Sequence, residues 1–95
     1  MRRYPDSAYA AEAQYRLGSS YYALRDYKNA IAAQELVVSN YGASTKAPDA
    51  MLNLASIYTE QKDNKKAKKV LQQLMTKYPD SSAAGLAKTR LASLK

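Results

Sequence analysis

The side chains that could do chemistry in this chain are lysines, tyrosines and a scatter of carboxylates. Lys62, Lys65, Lys66, Lys68 and Lys69 fall within eight residues. Ala67 and Val70 keep that run on a helical pattern, so the lysines form an outward basic patch. A solvated face is its default reading. The functional one is a docking patch for acidic protein, anionic lipid or nucleic acid, although the aromatic residues that nucleic-acid readers interleave are missing from it. The acids Asp6, Glu12, Asp26, Glu35, Asp49, Glu60, Asp63 and Asp80 are dispersed. Several stand where helices should begin, and an anion there favours the helix dipole. The chain has neither His nor Cys. The usual general base, the thiol nucleophile and the commonest transition-metal ligands are therefore absent, and no catalytic residue, metal or other cofactor is expected. Gly18, Gly42 and Gly85 are isolated and form no phosphate-cradling loop.

The elements that position these residues must come from one domain, because the chain has 95 residues and single domains usually run to about 100–150. Hydrophobic residues at 46% and charged residues at 24% exclude a disordered tail. The net charge is +7; residues 1–47 carry six basic and four acidic side chains, and residues 48–95 carry nine and four. A basic surface favours anionic partners without specifying a fold. Apolar runs fall far short of the ~20 residues of a membrane helix. Met1-Arg2-Arg3 is followed by Tyr4-Pro5-Asp6-Ser7 rather than an apolar segment, so no signal peptide is read there.

A period of 37 residues organises the chain. Tyr4-Pro5-Asp6-Ser7 recurs as Tyr41-Gly42-Ala43-Ser44 and as Tyr78-Pro79-Asp80-Ser81. Ala10, Ala47 and Ala84 match, as do Ala13, Ala50 and Ala87, Leu17, Leu54 and Leu91, and Ser19, Ser56 and Ser93. Residues 4–40 and 41–77 share ten identities in register without a gap. Unit 1 is thus 4–40, unit 2 is 41–77, and 78–95 is a capping helix.

Each unit reads as two helices. Ser7 and Ser44 are expected to cap the first helices, and Asp26 and Asp63 the second. Buried stripes at three- and four-residue steps are expected at Ala10, Ala13, Leu17, Tyr21 and Leu24; at Tyr27, Ala30, Ile31, Val37 and Val38; and at Ala47, Ala50, Met51, Leu54 and Tyr58. Ala67, Val70, Leu71, Leu74 and Met75 form the fourth stripe, and Ala84, Ala87, Leu91 and Leu94 the fifth. Gly18, Ala55, Ala30 and Ala67 are small residues where paired helices cross closely. Period-two alternation is lacking, so no strand is expected. The fold class is all-α: an α-α superhelix of antiparallel hairpins with about five helices.

These residues resemble the tetratricopeptide repeat. Leu17-Gly18-Ser19-Ser20-Tyr21 carries its Leu-Gly-x-x-Tyr signature, and Asp26-Tyr27 with Ala30 its turn. Gln14 and Gln34 depart from the usual large apolar residues, and Gly42 from the terminal Pro. More narrowly, the period, the Tyr-Pro-Asp-Ser joints, Tyr21-Tyr22-Ala23-Leu24-Arg25-Asp26-Tyr27, Lys46-Ala47-Pro48-Asp49-Ala50 and Leu86-Ala87-Lys88-Thr89-Arg90-Leu91 look like the C-terminal repeat domain of the Tol-Pal accessory family (YbgF, or CpoB). The joints are shared with the outer-membrane assembly lipoprotein BamD. The resemblance implies a bacterial periplasmic, non-enzymatic protein whose repeat domain binds TolA and links envelope constriction to peptidoglycan synthesis in division. It also makes residues 1–95 a fragment, with Arg2-Arg3-Tyr4-Pro5 as the tail of an earlier helix. The first helix would then keep an uncovered apolar flank, and self-association is expected at high concentration.

In such a superhelix the first helix of each hairpin lines the concave, partner-binding surface. By register, Glu12, Tyr15, Ser19, Tyr22, Leu52, Ser56, Thr59, Thr89 and Ser93 should point into it. The Lys and Asn of the family's carboxylate clamp are replaced there by Tyr15, Ser19, Leu52 and Ser56, which suits a weakly polar segment better than a free C-terminus. A protein partner is expected, with neither nucleic acid nor membrane insertion. The rival readings are a BamD-type assembly module and a basic nucleic-acid binder.

Overall fold

A computed structural model describes residues 5–94, and side chains from Tyr9 to Leu94. Five helices follow in order: α1 (Pro5–Ala23), α2 (Tyr27–Asn40), α3 (Lys46–Glu60), α4 (Asn64–Lys77) and α5 (Ser82–Ser93). The described residues contain no strand.

Helix ends follow from local chemistry. Where α1 stops, the amide of Asp26 donates to the Tyr21 carbonyl (2.8 Å) and that of Arg25 to Tyr22 (2.9 Å). Asp63 and Lys62 repeat this on Tyr58 (2.8 Å) and Thr59 (3.0 Å). This reversal needs a left-handed residue, and Arg25 (φ 63°) and Lys62 (φ 64°) supply it. Each following aspartate ends one helix and caps the next: Asp26 accepts from the Asn29 amide and Asp63 from the Lys66 amide. Three residues thus turn the chain through each hairpin. A side chain with a Cβ is strained at positive φ, and glycine is not. Lys62→Gly is therefore expected to raise stability by about 0.5–1 kcal/mol, read as a higher urea midpoint; an unchanged or lower midpoint would contradict this.

The joints between hairpins rest on serines and a tyrosine. Ser44 Oγ accepts from the Lys46 amide (3.0 Å), although α3 itself is preceded directly by Thr45. Ser81 Oγ accepts from Ala84 (3.1 Å) and donates to the Tyr78 carbonyl (2.8 Å). The Tyr78 hydroxyl reaches back to the Gly42 carbonyl (2.7 Å), tying one joint to the previous one. α1 begins at Pro5, so Ser7 lies inside its first turn rather than at the cap, and its side chain lies outside the described residues. Of the segment Arg2-Arg3-Tyr4-Pro5, read as the tail of an earlier helix, Pro5 instead opens α1, and the other three lie outside the described residues.

Helices pack in chain order: α1 on α2, α2 on α3, α3 on α4, α4 on α5. In addition α1 meets α3 and α3 meets α5, whereas α2 and α4 do not touch. First helices therefore form an inner layer and second helices splay apart outside it, which is how a stack of hairpins curves. The result is a slab of 47 × 30 × 16 Å, not a closed globule.

The core is heavier at one end. Met51, Ala55, Leu71, Leu74, Ala83 and Ala87 make its centre, with Val70, Met75, Leu91 and Leu94 against it. Ile57, which the expected stripe omits, is also fully buried. Hairpin α1–α2 is filled by small residues: Ala11, Ala30 and Ala33 are buried, and Val37 is the largest apolar side chain enclosed there. Gly18 receives Gln34, which is 0% exposed. The two glutamines stitch this hairpin reciprocally, Gln34 Nε2 donating to the Tyr15 carbonyl (3.2 Å) and Gln14 Nε2 to that of Ala33 (3.3 Å).

The expected α1 stripe needs correction. Ala13 is exposed, Leu17 is 45% exposed and Leu24 77%; Ala11 and Gly18 are the buried residues instead. Leu54, one period after Leu17, is covered because α2 lies beside α3. No described helix stands in that place beside α1, so Tyr9, Ala13, Leu17 and Leu24 form one outward apolar face.

Candidate functional site

The inner layer brings α1, α3 and α5 together around two adjoining hollows. The first, of about 200 Å³, is lined by Tyr15, Tyr22, Asp49, Leu52, Asn53, Ser56 and Arg90. The second, of about 340 Å³, is lined by Tyr22, Ser56, Thr59, Glu60, Arg90, Ser93 and Leu94. Tyr22, Ser56 and Arg90 belong to both, one from each helix of the layer.

Three separate sets of hydrogen bonds fix these side chains. Asn53 Nδ2 donates to Ser19 Oγ (3.2 Å), joining α3 to α1. Arg90 Nη1 donates to Ser56 Oγ, joining α5 to α3. The Tyr22 hydroxyl donates to Glu60 Oε2, and that of Tyr27 to Glu60 Oε1 (2.6 Å). The Tyr22 and Tyr27 rings stand 6.1 Å apart, tilted by 49°. Lys46 Nζ lies 5.3 Å from the centre of the Tyr15 ring. The floor is thus aromatic and hydroxylic, with a guanidinium shared by the two hollows and, in the second, a carboxylate engaged by two phenols.

Titration follows this geometry. Burial, then the hydrogen bond to Glu60 and its negative charge, pushes Tyr22 up to about 12 from 10.0. The hydrogen bonds from Tyr22 and Tyr27 hold Glu60 below the usual carboxylate range. The two shifts agree in sign, since both describe a phenol donating to a carboxylate. For Tyr22 the folded state favours the protonated phenol. Its contribution to stability is intact below pH 10 and is lost as pH rises towards 12. The hydrogen bond to Glu60 also raises Tyr27, and burial raises Tyr58 and Tyr78, so an alkaline absorbance titration is expected to show several late-ionising tyrosines, the last of which Tyr22→Phe removes. An unchanged curve in that variant would refute the assignment.

Of the nine side chains expected on this face, Tyr15, Tyr22, Leu52, Ser56, Thr59 and Ser93 line the hollows, and Ser19 adjoins them through Asn53. Glu12 and Thr89 stand apart. Glu12 pairs with Arg16 along α1 at 2.6 Å, and the exposed Thr89 Oγ1 donates to the Gly85 carbonyl (3.4 Å). Asn53 and Arg90 take part where the register favoured Leu52 and Thr89. They are themselves one period apart, each the residue that follows an expected inward position. Glu60 was missed because its role depends on two tyrosines from another hairpin.

The basic patch is elsewhere. Lys65, Lys66 and Lys69 are exposed on α4, and Lys62 occupies the turn before it. Lys66 lies 3.9 Å from Asp63 and 5.6 Å from the centre of the Tyr58 ring. Lys68, on the same helix, also makes an interaction of its own. None of the five lines the concave hollows. Among the described residues no three acidic side chains converge as a metal site would need, and no helix is long and apolar enough to cross a membrane.

No curated protein matches the chain. Residues 11–42 and 49–81, about two thirds of the chain between them, each match a family model described as tetratricopeptide repeat. Together with the curved stack of five helices, these matches make the chain a tetratricopeptide-repeat domain, a scaffold for protein–protein interaction.

Proposed function

We propose that the concave face holds a segment of a partner protein in the bacterial periplasm. The partner is TolA-like, and the domain helps to coordinate outer-membrane constriction with peptidoglycan synthesis during division. One observation carries the binding surface: Tyr15, Tyr22 and Leu52 share a hollow with Asn53, Ser56 and Arg90, apolar area beside groups that orient a peptide backbone. Tyrosine suits such a surface because it offers large contact area at low entropic cost. The Tol-Pal placement rests on the sequence resemblance of the joints and the Lys46–Ala50 segment. The domain works by presentation, with no bond made or broken. The outward apolar face of α1 supports association between copies at high concentration.

Tyr15→Ala combined with Tyr22→Ala is expected to weaken binding of a purified TolA domain at least tenfold, measured by calorimetry, with helicity unchanged. Undiminished affinity would remove the concave face from the reading. Affinity should respond weakly to salt. A steep log–log loss would favour a nucleic-acid binder instead, because counterion release dominates that mode.

A further inference from the structure

The outer side of the array holds a second recessed surface. α2 and α4 flank α3 without touching each other, which leaves a trough along the convex side. One part, of about 640 Å³, is lined by Val38, Met51, Lys69, Gln73, Thr76 and Lys77 among others. A neighbouring hollow of about 200 Å³ shares Val38, Met51 and Gln73 and extends the trough over Leu54, Tyr58 and Val70.

Its chemistry differs from that of the concave face. The floor is apolar, made by the half-buried Val38 and Val70 over the buried Met51 and Leu54. The α4 wall is cationic: Lys66, Lys69 and Lys77 recur with Gln73 at three- and four-residue steps, one line along that helix. Eleven helical steps lead from Lys66 to Lys77, about 16 Å at the helical rise. On the α2 wall stands Glu35. A straight, apolar-floored channel between two helices has the shape that accepts a third helix. The charges dictate which: one whose apolar stripe meets the floor and whose acidic flank meets α4. The positive balance of the whole chain, +7, draws the same partner by long-range attraction.

We propose that the trough between α2 and α4 is a second docking surface, and that it takes an acidic amphipathic helix of a partner protein. This site is independent of the concave face, because none of its floor residues lines the hollows around Tyr22 and Arg90. It also gives the lysines of α4 a role beyond solvation.

The test uses a fluorescein-labelled 18-residue helical peptide with leucines at i, i+3, i+4 and i+7 and glutamates on both flanks. A control peptide carries lysine at each glutamate. Anisotropy titrations at low salt are paired with amide chemical-shift mapping on the whole chain. The acidic peptide is expected to bind, to shift Val38, Gln73, Thr76 and Lys77, and to lose at least tenfold in affinity on Lys69→Glu with Lys77→Glu. Both lysines are exposed, so the variant should fold, which circular dichroism checks. Gln73→Glu should weaken binding in the same sense, whereas Tyr15→Ala with Tyr22→Ala should leave it unchanged. The proposal is overturned by equal binding of the lysine peptide, by shifts confined to the concave face, or by a loss under threefold in the charge-reversal variant. It is equally overturned if phosphatidylglycerol vesicles or a 20-nucleotide DNA strand engage these lysines more tightly than the acidic peptide does.

Discussion

Leu74→Ala is expected to destabilise the domain by about 3–5 kcal/mol, the upper part of the range for emptying an enclosed leucine site. Leu74 is 0% exposed and lies in the core cluster where α3, α4 and α5 meet. Its neighbours Met51, Ala55, Leu71, Ala83 and Ala87 are held by three different helices, so they cannot all collapse into the void. In a domain of this size about 1 kcal/mol moves the melting midpoint by about 4–8 °C, so the loss should exceed about 12 °C by circular dichroism. Leu24→Ala provides the control. Leu24 is 77% exposed, and its removal should change stability by no more than about 0.5 kcal/mol. Similar effects of the two substitutions would show that the buried face is misplaced.

Gly18→Val should be the most damaging change in the first hairpin. A Cβ on Gly18 would stand 2.5 Å from both Cδ and Nε2 of Gln34 and 2.8 Å from its Cγ. The glutamine has nowhere open to go, since it is fully buried and bound to the Tyr15 carbonyl. Valine brings little helix propensity in return, because its branched side chain is restricted in a helix. The expected loss is about 2–3 kcal/mol, typical of overpacking. Coupling tests the cause. If the clash with Gln34 is responsible, the double variant with Gln34→Ala should be more stable than the sum of the single effects by at least about 1 kcal/mol. Simple additivity would place the damage elsewhere.

Much of this architecture is legible in the residues. Asp26 and Asp63 mark both hairpin turns because a three-residue reversal leaves the next helix's first amides to a capping carboxylate. The small residues Gly18, Ala30, Ala55 and Ala67 mark the close crossings because any larger side chain would hold the helices apart; all four are buried. What a stripe cannot reveal is whether anything covers it. A first helix in a stacked array is apolar towards two neighbours, so Leu17 and Leu54 look alike in sequence, yet only Leu54 has a second helix beside it. Gln34 illustrates the opposite failure. Its polarity argues for the surface, and only the absent Cβ of Gly18 makes room for it inside.

The candidate site was legible to a similar depth. Tyr15, Tyr22, Leu52 and Ser56 follow from the period, because the inward positions of first helices repeat with it. Arg90 and Asn53 do not, because each follows an expected inward position by one residue and reaches the hollow through a longer polar side chain. Glu60 depends on contacts between side chains 33 and 38 residues apart, which no local pattern encodes.

The order in which helices touch has a kinetic consequence. Every packed pair is one or two helices apart along the chain, and the backbones of α1 and α5 do not pack on each other. Loop closure therefore costs little at each step, which places refolding in the microsecond-to-millisecond regime of local topologies. The same arrangement lets an end open without the rest. Hydrogen exchange should find the alanine-filled α1–α2 hairpin opening first, while amides of α3 and α4 exchange only through global unfolding.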